Sequence, residues 1–318
     1  MKALALAGED ATLAVTELPD PAPSAGELLV RVHAASINPI DVRVSTGRYP
    51  WGKYEYPVVP GFDFAGVVET TDDQVTTFNP GDEVLGYWSA KRFHRGTWAE
   101  RVAIPADGFV VHKPKCLTFD LAAALPLAAA TALLCIDAVQ PLAGEAVLIT
   151  GAGGAIGAYA VQLAATAGAI VLATGRREHA RRLHELGAAQ VIDYINNDVA
   201  DTVRRMRLAG VGALIDLVND QPELTRLSTV VRDGGRVASA CFAADVEALA
   251  KRAITATNVI TTHGSADVLT RVVELVQDGA LRVGYDERRP LDEVPAAVAE
   301  ISAGASRKTV IDVAYDAR

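Results

Sequence analysis

The residues best suited to chemistry lie in one run, 146–177, which reads AVLITGAGGAIGAYAVQLAATAGAIVLATGRR. An apolar stretch at 146–150 reads as a buried parallel strand. A glycine-rich turn follows at 151–157, then a helical stretch at 158–167. A second apolar stretch at 169–174 closes a strand–helix–strand unit of about 30 residues. Such a turn binds phosphate. Glycine lets the backbone bend tightly and lets a pyrophosphate approach main-chain N–H groups at a positively polarised helix N-terminus. The candidates for that approach are Gly151, Ala152, Gly153, Gly154, Ala155 and Ile156. Read as G-x-G-x-x-G, the register is Ala152, Gly154, Gly157, with alanine in the first place. The competing reading is an ordinary glycine-rich turn between a strand and a helix. The flanking strand and helix favour a dinucleotide.

The end of the second strand chooses among dinucleotides. NAD sites place an Asp or Glu there, bonded to the ribose 2′-hydroxyl. This chain has Thr174, Gly175, Arg176 and Arg177 instead. A carboxylate repels a 2′-phosphate, whereas a guanidinium binds one through paired hydrogen bonds. The expected cofactor is therefore NADP(H). The alternative is that the arginines are only the solvated start of a helix, since Arg181 and Arg182 follow.

The elements around this run sort into two kinds. Residues 1–119 carry short strand-like stretches at 2–7, 12–18, 28–37, 62–69, 83–88 and 98–104, punctuated by Gly and Pro. They suggest a barrel-like domain. Residues 120–256 alternate apolar strands with helices, the pattern of a doubly wound parallel sheet. The strands are expected at 147–150, 170–174, 190–194, 213–218 and 236–239, with 258–262 as a possible sixth. The tail adds helices at 266–278 and 291–301 and a strand at 308–314. The fold class is α/β.

Composition bounds the function. The chain has 318 residues, enough for two domains, and a net charge of −9, from 39 acidic and 30 basic residues, which argues against a general nucleic-acid surface. Its three cysteines, Cys116, Cys135 and Cys241, are far apart, so neither a disulfide framework nor a zinc cluster is expected. The N-terminus lacks the long apolar core of a signal peptide. The longest apolar stretch, 121–136, contains Pro126 and is short for a membrane span. A soluble cytoplasmic protein is expected, with no membrane partner.

Several ordered motifs together resemble the zinc-independent, quinone oxidoreductase-like group of the medium-chain dehydrogenase/reductase superfamily. They are AASINPIDVRVSTGRYP (34–50), PVVPGFDFAGVVE (57–69), FNPGDEVLGY (78–87), GTWAERVAIP (96–105), LPLAAATALLCI (125–136), ITGAGGAIG (149–157) and DGGRVAS (233–239). The resemblance implies a GroES-like domain built from 1–119 and 257–318, a Rossmann NADP-binding domain at 120–256, and a homodimer. Zinc-dependent members hold their metal through a cysteine near Asn38 and a Gly-His-Glu. Here the chain reads Ser36-Ile37-Asn38 and Gly61-Phe62-Asp63, so no metal is expected.

The resemblance also assigns roles. Asn38 and Asp41 match a motif beside the nicotinamide, although Asn38-Pro39 is a turn signal by itself. Tyr49, in Gly47-Arg48-Tyr49, matches a proton donor of enoyl thioester reductases. Its plainer role is pocket lining near Trp51 and Tyr54. Thr131 matches a ligand of the nicotinamide carboxamide, and Tyr194 and Lys308 match positions near the adenosine phosphate. Cys241 and Phe242 are further candidates for the cofactor cleft. Tyr87, Trp88, Phe93, His94 and His263 can line it or simply pack. The resemblance implies an NADPH-dependent reductase of quinones or other conjugated carbonyls. Its alternatives are a 2-enoyl thioester or enone reductase with Tyr49 as the acid, and a non-catalytic NADPH-binding sensor or scaffold.

Overall fold

The computed structural model describes residues 1–47, 49–50, 52–89, 92–261 and 266–313. Arg48, Trp51 and His263, named above, lie outside the described residues, as does position 314 at the end of the expected last strand. The chain forms two compact units, Met1–Leu127 with Gly264–Gln277 and Val283–Arg318, and Ala128–His263 with Asp278–Arg282.

The first unit opens with β1 (Lys2–Ala5), β2 (Ala14–Glu17), β3 (Glu27–Ser36), α1 (Pro39–Ser45) and β4 (Lys53–Tyr54). It continues through β5 (Asp63–Thr71), β6 (Glu83–Tyr87), β7 (Arg92–Phe93), β8 (Arg101–Pro105), β9 (Val110–His112) and α2 (Phe119–Ala124). The apolar stretch 121–136 breaks at Leu125-Pro126, where proline lacks the N–H a continuing helix needs. Beyond the break, α3 (Pro126–Val139) runs into the second unit. The sequence boundary at 119/120 falls at the start of α2. That helix packs on β3 and β5, so the first unit reaches Leu127.

The second unit continues with β10 (Ala146–Ile149), α4 (Ala155–Thr166), β11 (Ile170–Thr174), α5 (Ala180–Glu185), β12 (Gln190–Ile192) and α6 (Val199–Met206). Then come β13 (Val211–Asp216), α7 (Gln221–Ser228), β14 (Val231–Ser239), α8 (Val246–Ala250) and β15 (Thr255–Asn258). The chain returns to the first unit with α9 (Ala266–Gln277), β16 (Glu287–Pro290), α10 (Val294–Ser302) and β17 (Thr309–Asp312).

The second unit holds a six-stranded parallel sheet in the order β12-β11-β10-β13-β14-β15. This is the doubly wound dinucleotide-binding order, whose reversal lies at β10, directly before the glycine turn. Both faces are covered, so β10 and β13 carry almost unbroken apolar runs. Aspartates start the helices: Asp198, Asp220 and Asp245 accept from the N–H groups of Asp201, Glu223 and Ala248 at 2.8, 3.0 and 3.0 Å. The sixth strand lies at 255–258 and starts three residues before the expected 258, while position 262 lies outside the described residues. Its register is set by the end of β14, with Arg236 opposite Thr255 and Ser239 opposite Asn258. That register moves the unit's edge past the expected 256.

In the first unit a mostly antiparallel sheet runs β16-β17-β3-β5-β6-β9, and β8 also pairs with β3. Its core gathers Leu4, Val30, Phe64, Trp98, Ile104 and Ile311. β3 ends at Ser36, and Asn38 then starts α1 in extended conformation, with Pro39 in the first turn. β17 lies against the end of β3, with Val310 opposite Ser36.

Candidate active site

The glycine turn lies in the second unit, between β10 and α4. Helix α4 begins at Ala155, three residues before the sequence pattern suggested, because Gly154 is already its extended N-cap. The N–H groups of Ala155 and Ile156 therefore belong to the first turn, which has no intrahelical acceptors. Gly151 adopts φ +69°, and a Cβ on Gly157 would stand 2.4 Å from the Ala152 Cα. Alanine is tolerated in the first motif position because Ala152, unlike Gly151, does not take a positive φ. The Gly151 N–H donates to Thr174 Oγ1 at 3.1 Å, tying the turn to the end of β11. A turn in which an added Cβ meets backbone, at a helix start, fits a pyrophosphate.

Arg176 and Arg177 follow β11 on the surface, Arg177 within a short 3-10 turn, Arg177–His179. Arg176 Nε donates to the Tyr194 hydroxyl at 3.4 Å, and that bond raises the basicity of the guanidinium. Tyr194 lies beyond β12 and is exposed, which suits contact with a ligand better than core packing. Glu178 pairs weakly with Arg176 at 3.9 Å. Thr131 Oγ1 lies 2.8 Å from Thr261 Oγ1, so its hydroxyl bonds a side chain from a distant segment. Cys241 and Phe242 follow β14, both exposed, and Phe242 takes φ +60°. Burial pushes the Cys135 thiol up to about 12, which leaves it no nucleophile.

One organiser of this end of the sheet does not stand out in the sequence. Asp216, fully buried at the end of β13, accepts from Thr150 Oγ1 at 2.8 Å, Ser239 Oγ at 2.9 Å and Asn219 Nδ2 at 2.6 Å. One carboxylate thus joins the end of β14 to the segments that follow β10 and β13. The available signal was a charge ending an otherwise apolar strand, VGALID.

Asn38, Tyr49 and Lys308 belong to the first unit. Asn38 and Lys308 meet; Tyr49 lies in a separate aromatic group. Lys308 is buried, and its ammonium reaches Ser36 Oγ at 2.7 Å, Asn38 Oδ1 at 2.8 Å and Asp63 Oδ2 at 3.1 Å. This corrects its expected place beside a cofactor phosphate, because all three donors are already used. Asp63 Oδ2 also accepts from Ser36 Oγ and Asn38 Nδ2, each at 2.8 Å, and Oδ1 accepts from the Leu127 N–H at 2.8 Å. These residues occupy the positions where zinc-dependent members keep ligands. They offer neither thiolate nor imidazole, and an ammonium already fills the role of the cation, so a zinc ion does not fit. Among the described residues no cluster of three or more metal-ligating side chains occurs.

The fully buried Asp41 accepts the Asn38 N–H at 2.6 Å, half of a capping box. Burial, then the nearby Asp63 charge, pushes its carboxyl up to about 8, with the Asn38 bond opposing. Its Oδ1 has no hydrogen-bond partner. The Tyr49 ring meets the Phe93 edge at 5.4 Å, and the Tyr54 hydroxyl takes the Tyr49 N–H at 3.2 Å. Desolvation raises the Tyr49 phenol, so it keeps its proton at neutral pH. Tyr87 is core, fully buried and stacked on Phe109 at 4.4 Å. Trp88 packs against the same core, and Phe93 is buried. Exposed His94 lies 3.2 Å from the Glu55 carbonyl through Nδ1. No helix among the described residues is long and apolar enough to cross a membrane.

Residues 24–115 match the family described as alcohol dehydrogenase GroES-like domain, and residues 186–311 that described as zinc-binding dehydrogenase. The chain is 30% identical to the mitochondrial NAD(P)H oxidoreductase RTN4IP1 of Mus musculus, over 90% of this chain and 82% of that protein. It is 31% identical to the quinone oxidoreductase of Mus musculus, over 68% of this chain and 65% of that one. Among solved structures it resembles the quinone oxidoreductase from Coxiella burnetii with a TM-score of 0.88 and 27% identity, covering 98% of this chain and 99% of that chain. With its doubly wound sheet and GroES-like unit, this chain belongs to the medium-chain dehydrogenase/reductase superfamily, in its quinone oxidoreductase-like group.

Proposed function

We propose that this oxidoreductase uses NADPH to reduce a quinone or another conjugated carbonyl without zinc. The observation that carries the cofactor reading is the pairing of Arg176 with Tyr194 beside the glycine turn, on a strand end, Thr174 to Arg177, without an acid. A 2′-phosphate would displace the weak, exposed Glu178 partner and gain charge-assisted hydrogen bonds. The first-turn N–H groups of α4 would take the pyrophosphate, and Thr131 lies on the helix expected to face the carboxamide.

When bound, the reduced nicotinamide supplies a hydride. A conjugated acceptor is already electrophilic and needs less polarisation than a simple ketone. The chain's share is then to bind, orient and exclude water. Asn38 offers an amide donor, and Tyr49 holds a proton at its hydroxyl. That retained phenol proton also favours a second reading, an enone or enoyl thioester reductase in which Tyr49 donates to the developing enolate. Free thiols support a cytoplasmic site, and a homodimer follows from the family resemblance.

The test is NADPH oxidation across quinones, enones and enoyl thioesters. We expect turnover with at least one class. Tight NADPH binding with no oxidation across the panel would instead favour a sensor or scaffold.

A further inference from the structure

The Asn38 amide is held from both ends. Its Oδ1 accepts from the Lys308 ammonium at 2.8 Å, and its Nδ2 donates to the Asp63 carboxylate at 2.8 Å. Rotating the amide by half a turn would point NH2 at the ammonium and oxygen at the carboxylate, two repulsive contacts. Asp63 and Lys308 are themselves buried and paired, with Asp63 fully enclosed. Ser36 bridges the same two groups, accepting from Lys308 and donating to Asp63. The Asn38 backbone is fixed independently by Asp41.

We propose that Lys308 is a positioning residue. Together with Asp63 it locks the Asn38 amide in one orientation, so that the remaining Nδ2 hydrogen is a fixed donor to the carbonyl oxygen of the bound conjugated reactant. The inference rests on the function proposed above for its last step only. The lock itself is a property of the free protein. It also separates Lys308 from cofactor phosphate binding, because an ammonium with three short acceptors has no donor left. A fixed donor stabilises developing negative charge on oxygen without reorganisation at the moment of hydride transfer.

The experiment compares the wild type with K308M, D63N and the double variant K308M/D63N. K308M leaves a carboxylate buried alone and can fail to fold. The double variant replaces both charges with neutral side chains of similar size and keeps the question answerable. Three quantities are read: side-chain amide hydrogen exchange of Asn38 by NMR in the free protein, NADPH dissociation constants, and kcat and KM with 1,4-benzoquinone. In the folded double variant we expect Asn38 exchange at least tenfold faster, NADPH affinity within threefold, and kcat at least tenfold lower with the KM for NADPH little changed. A merely structural pair would lower the unfolding temperature and leave kcat of the folded enzyme alone. Exchange or kcat within threefold of the wild type overturns the proposal. A tenfold loss of NADPH affinity with NADH affinity unchanged overturns it too, by making Lys308 a phosphate ligand. A wild type that oxidises no NADPH breaks the proposed function instead, and the exchange measurement still decides the lock.

Discussion

The imidazole of His179 lies over Gly153: its Nδ1 stands 2.5 Å from where a Cβ on that glycine would be. The third residue of the glycine turn is therefore closed to side chains by a residue 26 positions on, not by its own backbone angles. Gly153→Ala should push the ring off the turn and raise the NADPH dissociation constant roughly tenfold, about 1.4 kcal/mol. Adding His179→Ala should restore affinity to within threefold. If the double variant binds as weakly as the single one, the imidazole is not the obstacle.

Arg176 should discriminate between cofactors. A charge-assisted hydrogen bond contributes about 1.5–3 kcal/mol, so Arg176→Ala should weaken NADPH roughly 10- to 100-fold and change NADH less than threefold. Fluorescence titration with both cofactors checks this. Equal losses would show that Arg176 does not read the 2′-phosphate.

Tyr49→Phe keeps the ring against Phe93 and removes only the hydroxyl. With the best enone substrate kcat should fall by about 10²–10³, the scale for losing one donor to an oxyanion. Quinone reduction should be affected less. A change below threefold with the enone would end the case for Tyr49 as the acid.

Asp41 should make stability depend on pH. Its native carboxyl holds a proton up to about 8, whereas in the unfolded chain it ionises near ~3.9. Between those limits the unfolded state binds fewer protons, so the contribution is full below the lower value and is lost as pH rises through the upper one. Relative to Asp41→Asn, the wild type should lose on the order of 4 kcal/mol between pH 5 and pH 8. Urea melts of both proteins at the two pH values give the comparison, and a constant difference would refute the protonated carboxyl.

The parallel sheet was legible because its signals are local. Apolar runs and the turn at 151–157 each announce themselves within a few residues. The positions of Arg176 and Tyr194, near the ends of expected strands at 170–174 and 190–194, were legible for the same reason. The first unit was harder to read. Its strands are short, and sequence left Tyr87 and Trp88 open between cleft lining and packing; Tyr87 is core and Trp88 packs half-buried against it. What sequence could not supply were side-chain partners across long separations. Lys308 looked like a phosphate-binding cation because its type and motif position say so, whereas Asp63, 245 residues earlier, claims it. Asp216 reads in sequence only as the charged end of an apolar strand, and only the juxtaposition of strand ends reveals that it bonds Thr150 and Ser239.

The pairing of Lys308 with Ser36, Asn38 and Asp63 spans 245 to 272 residues. A chain made from its N-terminus exposes Asp63 and the end of β3 long before the cation and β17 that complete them. The first unit thus cannot finish folding when its own early strands emerge. It must hold an open sheet edge while the entire nucleotide-binding unit is synthesised. Translation order makes the second unit the one able to fold first, and β17, made after that unit, closes the site begun by β3.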